Sequence, residues 1–230
     1  MTAKTADLLR EWAEEYNDLK YFEDDPVAFP REFVRRGASL QDVEIAALFS
    51  SHLAWGRRAM ICRDCERLFE EMEWRPYDYV MAGSYRDDET SLHRTVKWSE
   101  TALICGRLRE WYTWHKTMEP LSAKEIRSII FRRKEDPKAP DKKINLMRRW
   151  LVRRDGKVDL GVWKKTDPAG LLVPLDVHVH AQATALKLTS RKQKDLATAE
   201  QITARFREIW PDDPVLGDFA LFGYGVTHSK

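Results

Sequence analysis

Residues 40–55 read LQDVEIAALFSSHLAW, and this stretch decides the fold class. Its apolar residues would lie on nearly every side of a helix, which is typical of a helix buried at the centre of a core. Ser39 is a candidate N-cap because Asp42 stands three residues further on, and Gly56 breaks the pattern. We therefore expect a central buried helix over this stretch.

Helical patterns continue outward on both sides. Apolar residues recur at three- and four-residue spacing within residues 3–20, 58–72, 98–115 and 142–152, whereas two-residue alternation is rare. The predicted fold class is all-α, or nearly so. We expect a single helical domain over residues 1–230. If it has two lobes, their boundary is predicted in the loop-like stretch GSYRDDETS at 83–91.

Composition excludes several classes of protein. The chain is 43% hydrophobic and 33% charged, which is ordinary for a globular protein and excludes disorder. Its apolar runs are far shorter than the roughly 20 residues that span a bilayer, and the N-terminus has no signal-peptide core. Three cysteines cannot form a disulfide framework, which favours a reducing compartment. We expect a cytoplasmic monomer without a membrane partner or a cofactor.

Positive charge is concentrated in one part of the chain. Residues 123–165 contain fifteen Lys or Arg and six acidic residues, and Trp150 and Trp163 lie among them. A basic stretch with aromatic residues is what binding to nucleic acid requires. Solvated helix faces would produce the same pattern, so charge alone leaves both explanations open.

The segment LLVPLDVHVHAQATALKL at 171–188 contains the strongest candidate for chemistry, Asp176. Val179, Ala183 and Leu186 mark one face of a helix that would begin directly after it, so Asp176 occupies the N-cap position. A carboxylate there accepts backbone N–H bonds and is stabilised in its ionised form by the helix dipole. A purely structural cap is the alternative explanation.

Two motifs resemble those of the helix-hairpin-helix DNA glycosylases. The order Asp176-Val177-His178-Val179 is similar to their Val/Leu-Asp-x-His-Val segment, which carries the catalytic aspartate. KKINLMRRWLV at 142–152 resembles the helix of the catalytic lysine in bifunctional members, with Lys142 and Asn145 in register and Lys143 as the alternative nucleophile. Over nearly the whole chain, DPVAFP, DVEIAAL, VDLGVW, VPLDVHVH and DFALFGYG resemble the DUF2400 family of uncharacterised proteins.

The glycosylase resemblance implies a two-lobed helical fold with the site between the lobes. It implies a DNA glycosylase with AP lyase activity that flips a damaged or modified base, such as 8-oxoguanine, out of double-stranded DNA and is associated with the nucleoid. Lys142 would be the nucleophile and Asp176 would stabilise the transition state, with Asn145 and His178 supporting them. The implied contacts with DNA are His52, Arg57, Arg58, Lys143, Arg191 and Lys192. The implied base pocket contains the aromatic residues Trp55, Trp163, Phe219 and Phe222. Packing in the core is the alternative explanation for these four aromatic residues.

The chain also departs from the glycosylase pattern. EDPKAPD precedes Lys142 without the glycines of the usual phosphate-binding hairpin, and no four-cysteine cluster for an iron–sulfur centre is present. Two alternatives therefore remain. One is a non-catalytic protein of the same fold that binds DNA or a modified base. The other is a metal-dependent hydrolase using Asp176, His178 and His180.

Overall fold

The computed structural model describes residues 1–228 and contains a mostly helical chain, so the predicted fold class is confirmed at this level. The chain forms two compact units. Unit 1 comprises Met1–Tyr21 and the chain from Asp136 onward, whereas unit 2 is the continuous segment Phe22–Glu135. The chain thus passes between units at 21–22 and 135–136, and the predicted boundary at 83–91 falls inside unit 2.

The elements of the first half of the chain follow the predicted helical segments closely. They are helices α1 (Ala3–Tyr16), α2 (Ala28–Arg35), α3 (Leu40–Leu53), α4 (Arg58–Glu71) and α5 (Pro76–Ala82), strands β1 (Ser91–His93) and β2 (Val96–Lys97), and helices α6 (Trp98–Trp114) and α7 (Ala123–Glu125), which continues as a π-helical turn at Ile126–Ile130. The two strands pair in antiparallel fashion, with Ser91 opposite Lys97.

The second half contains helices α8 (Lys142–Val152), α9 (Val177–Ala185), α10 (Leu196–Arg207) and α11 (Leu216–Asp218), a π-helical turn at Phe219–Gly223, and helix α12 (Tyr224–His228). Short 3-10 turns occupy Leu19–Tyr21 and Pro168–Gly170. None of the helices within residues 1–228 combines the length and apolar composition needed to cross a membrane.

Helix α3 is the buried centre of unit 2, as its sequence predicts. The Ser39 hydroxyl accepts the N–H of Asp42 at 3.1 Å, and the Asp42 carboxylate accepts the N–H of Ser39 at 3.2 Å. Every residue from Val43 to Leu53 is buried. Burial on all sides explains why this helix has no polar face.

The stretch 83–97 packs onto unit 2 and does not divide it. The Tyr85 hydroxyl donates to the carbonyl oxygen of Val80 at 2.7 Å, and the Arg86 guanidinium lies 4.3 Å from the Trp98 ring. The Trp98 N–H donates to the carbonyl oxygen of Thr90 at 3.1 Å. The contacts join residues 5 to 12 positions apart, and a composition that resembles a linker does not reveal them.

The core of unit 1 joins the two ends of the chain. Leu9 and Ala13 of α1 pack with Val179 of α9, Phe206 of α10 and Leu221 of the C-terminal π-helical turn. The π-helical turn lies very close to α1 at Gly223, where an added Cβ atom would be 2.3 Å from Tyr16 Cγ. The absence of a side chain at Gly223 allows the two elements to pack together. A side chain at position 223 would push α1 away from the turn.

We expect Gly223→Ala to lower the free energy of unfolding by roughly 1–3 kcal/mol, because the added methyl group overpacks the contact with Tyr16. Gly170→Ala is the matched control, since a Cβ atom there meets nothing within 4 Å. Urea denaturation of both variants would check this, and equal stability of the two would contradict the packing argument.

Candidate active site

Asp176 lies where the sequence places it, at the N-cap of α9. Its side chain accepts the N–H of Val179 at 2.8 Å, and its backbone carbonyl accepts the N–H of His180 at 3.0 Å. The residue is buried but its carboxylate remains at the start of the helix, where the free N–H groups and the helix dipole favour negative charge. The N-cap prediction is therefore confirmed.

Lys142 is the first residue of α8, and its side chain reaches Asp176. Its Nζ lies 3.6 Å from Asp176 Oδ2, although the two residues are 34 positions apart in sequence. The lysine side chain is 35% exposed and the aspartate side chain 8%. A partly exposed lysine side chain thus stands beside a carboxylate fixed by a helix cap.

The turn into α8 is made without glycine. Asp141 adopts a left-handed conformation with φ of 40°, and its carbonyl accepts the N–H of Asn145 at 2.9 Å. The Asn145 side-chain amide donates to the carbonyl oxygen of Pro140, also at 2.9 Å. Asn145 therefore fixes the entry to the helix that carries Lys142, which is how it supports the pair.

The helix that carries Lys142 also contributes to a buried network of ion pairs, which we call the chain of charges. Arg149 of α8 is paired with Asp218 at the end of α11, and its Nε donates to Asp159 Oδ1 at 3.3 Å. Arg153 Nη1 donates to the other oxygen of Asp159 at 2.6 Å. Arg149, Arg153, Asp159 and Asp218 are all buried, so each depends on the others for compensation of its charge.

The chain of charges continues to the edge of unit 1. Arg153 binds Asp213 through two nitrogens at 2.8–3.0 Å and Asp155 Oδ2 at 2.8 Å. Asp155 in turn accepts the side-chain amide of Asn17 at 2.7 Å. Arg149 and Arg153 are therefore internal, and this part of the basic stretch at 123–165 is not a surface for a polyanion.

Sequence reasoning missed these carboxylates. Asp159, Asp213 and Asp218 come from separate parts of the chain, and no local pattern marks them as partners. One signal was available: Lys142 and Arg149 are seven residues apart, so they share one helical face. If that face is buried at Arg149, its guanidinium needs a carboxylate partner.

The aromatic residues of the predicted base pocket have different environments. Trp163 and Phe219 are fully buried, and the Phe219 ring lies 4.3 Å from the Arg149 guanidinium, so both belong to the interior of unit 1. Phe222 is half-buried, with its ring 6.1 Å from that of His178. In unit 2, Trp55 is half-buried beneath the Arg94 guanidinium at 4.4 Å.

The predicted DNA contacts are divided between the two units. His52 is buried in unit 2 with its ring 4.9 Å from Phe131, which indicates a structural role. Arg57 is exposed, whereas Arg58 contacts Asp25 at 3.5 Å. In unit 1, Lys192 is exposed, Lys143 is half-buried, and Arg191 is held by Asp195 at 2.7 Å and by the Thr198 hydroxyl at 2.9 Å.

The alternative metal site is not formed. His180 Nε2 lies 2.9 Å from the carbonyl oxygen of Arg191, and His178 packs near Gly225. Alternate residues of a helix point in nearly opposite directions, which separates these side chains. Across residues 1–228, no group of three or more His, Cys, Asp or Glu side chains is arranged to hold a metal ion.

Asp218 has an unusual protonation equilibrium. Burial and, to a smaller extent, the negative charge of Asp176 raise the pKa of its carboxyl group from 3.8 to about 6, against the opposing effect of Arg149. The folded chain therefore holds this proton more tightly than the unfolded chain. The resulting stabilisation is complete below pH 3.8 and is lost as the pH rises through about 6.

We expect Asp218→Asn to abolish this pH dependence. Between about pH 4 and pH 7 the free energy of unfolding of the native chain should fall by about 3 kcal/mol relative to the variant, at about 1.4 kcal/mol per pKa unit. Burial also raises the pKa of Asp159, but both proteins retain this residue. Urea denaturation at a series of pH values measures the difference, and a pH-independent difference would contradict the assignment.

Comparison with known proteins adds one finding. A family model described as "Protein of unknown function (DUF2400)" matches residues 25–136 and 122–227, which together cover most of the chain. No curated protein and no solved structure matches the chain. The second matched stretch contains Lys142, Asp176 and Asp218. The chain therefore belongs to the DUF2400 family.

Proposed function

We propose that this protein is a DNA glycosylase with AP lyase activity, in which Lys142 is the nucleophile and Asp176 stabilises the transition state. The observation that supports this proposal is the distance of 3.6 Å between Lys142 Nζ and Asp176 Oδ2. The two residues belong to separate sequence motifs, 34 positions apart. The proposal takes the two units as the two lobes of a glycosylase fold.

Asp176 has the properties that glycosidic cleavage requires. Breaking the bond between C1′ and a nucleobase builds positive charge on the sugar, which a nearby carboxylate stabilises. The hydrogen bond from the Val179 N–H fixes the Asp176 carboxylate at the start of α9. A group held in advance in this way does not need to reorganise when the charge develops.

Lys142 provides a route to strand cleavage. Its neutral amine would attack C1′ and form a new C–N bond while the base leaves with the electrons of the old bond and takes up a proton. Loss of a proton from the lysine nitrogen and opening of the sugar ring then give a Schiff base. Removal of a C2′ proton expels the 3′ phosphate by β-elimination. In the free protein Lys142 Nζ forms an ion pair with Asp176 Oδ2 at 3.6 Å, and the ammonium group must lose a proton to water before it attacks.

The proposed substrate is double-stranded DNA with a damaged or modified base, which places the protein with the nucleoid. The nucleotide must flip out of the stack so that its C1′ can reach Lys142. Exposed cations, including Lys192 of unit 1 and Arg57 of unit 2, would contact phosphates and make the affinity depend on salt. Oxidised purines such as 8-oxoguanine are the first candidates to test.

Borohydride trapping tests the lyase step, because it reduces a Schiff base to a stable covalent complex. We expect a trapped complex with duplexes that contain an abasic site, 8-oxoguanine, uracil or an oxidised pyrimidine. Lys142→Ala should abolish it, while Lys143→Ala should retain it. Absence of the complex on all four duplexes would overturn the proposal. Salt-dependent DNA binding without trapping would instead indicate a non-catalytic DNA-binding protein.

Asp176→Asn separates the charge of the carboxylate from its capping role, because asparagine caps helices equally well. We expect the rate of base release to fall about 10²- to 10³-fold while the melting temperature changes little. Asp167→Asn is the matched control, since Asp167 caps the turn at Pro168–Gly170 by accepting the N–H of Ala169 at 3.0 Å. An equal fall in the rate of base release in Asp176→Asn and Asp167→Asn would contradict a catalytic role of the Asp176 carboxylate.

A further inference from the structure

One face of α8 carries both the reactive amine and a buried guanidinium. Arg149 follows Lys142 by seven residues, which brings it back to within about 20° of the same direction, about 10 Å further along the helix axis. Lys142 is partly exposed, whereas Arg149 is buried and paired with Asp218 and Asp159. Because a helix moves as a rigid body over two turns, the partners of Arg149 contribute to where Lys142 stands, together with the buried apolar residues of α8.

Asp218 belongs to a segment whose backbone is tightly held. A Cβ atom on Gly217 would lie 2.5 Å from the Phe206 ring in α10, and one on Gly223 would lie 2.3 Å from Tyr16 in α1. Further on, a Cβ atom on Gly225 would lie 3.1 Å from His178 Cβ in α9. The segment that carries Asp218 therefore packs closely against the helix that Asp176 caps.

We propose that Asp218 is a positioning residue for the Lys142–Asp176 pair. By binding Arg149, it attaches the helix that carries the lysine to the segment that packs on the helix of the aspartate. The consequence for catalysis rests on the proposed glycosylase function, whereas the placement of Lys142 beside Asp176 does not depend on it.

The chemistry of the contact supports positioning over simple stabilisation. Burying an ion pair costs desolvation energy, and well-packed apolar residues of similar volume often give equal or greater stability. An ion pair between a planar guanidinium and a carboxylate defines distance and direction more narrowly than an apolar contact. A misplacement of about 1 Å, even from a remote substitution, can reduce a reaction rate by about 100-fold.

Lysine labelling tests the placement of Lys142 without DNA. The protein is treated briefly with acetic anhydride, and acetylation of Lys142 relative to exposed Lys164 is measured by mass spectrometry. Release of Lys142 from Asp176 frees its amine, so we expect its relative labelling to rise several-fold in Asp218→Asn. Arg149→Lys should raise it as well, because a single ammonium group cannot reproduce the fork that holds both carboxylates.

Asp213→Asn is the matched control for general loosening of unit 1. Asp213 pairs with Arg153 at the far end of the same chain of charges, so its loss removes an ion pair without touching Arg149. All variants are compared at a temperature where circular dichroism shows them to be folded. Labelling of Lys142 within twofold of the native chain in both Asp218→Asn and Arg149→Lys would overturn the proposal. An equal rise in Asp213→Asn would also overturn it.

Borohydride trapping on abasic duplex DNA measures the catalytic consequence. In Asp218→Asn we expect the rate constant of trapping at saturating DNA to fall about 10- to 100-fold, while the Kd for the same duplex stays within about twofold. A fall in affinity at an unchanged trapping rate would contradict positioning. If the native chain forms no trapped complex, the proposed function fails, and the labelling result alone decides the role of Asp218.

Discussion

The interior of unit 1 is organised by the need to neutralise two buried guanidinium groups. Arg149 and Arg153 project from α8 and its C-terminal end into a region from which water is excluded, where an unpaired charge would cost several kcal/mol. Their carboxylate partners come from the loop after α8 and from the C-terminal segment. The ion pairs therefore constrain how three distant parts of the sequence meet. The candidate site lies at the end of this arrangement.

The parts of the structure that depend on neighbouring residues could be predicted from the sequence. The N-cap position of Asp176, the capping box of Ser39 and Asp42, and the full burial of α3 follow from residues within a few positions of each other. The pairing of Lys142 with Asp176 required more than periodicity. It was expected from a resemblance of two short motifs to glycosylase segments, which stays a prediction; the structure shows the two side chains 3.6 Å apart.

The parts that depend on long-range packing could not be predicted. The division of unit 1 between both ends of the chain arises because Leu9 and Ala13 pack with Leu221, and no local composition marks such a contact. The same holds for Asp159 and Asp218, whose role depends on Arg149. Trp163 and Phe219 were candidates for a ligand pocket because of residue type alone, and their burial against arginine and apolar side chains gives them a packing role.

The discontinuity of unit 1 has a consequence for biosynthesis. The contiguous segment Phe22–Glu135 is synthesised in one piece, whereas unit 1 can be completed only after the residues from Asp136 onward have been made. Until Asp213 and Asp218 emerge, Arg149 and Arg153 lack part of their counter-charge, so α8 would remain hydrated and only loosely docked. Lys142 thus reaches its place beside Asp176 only after the segment that carries Asp213 and Asp218 has been synthesised.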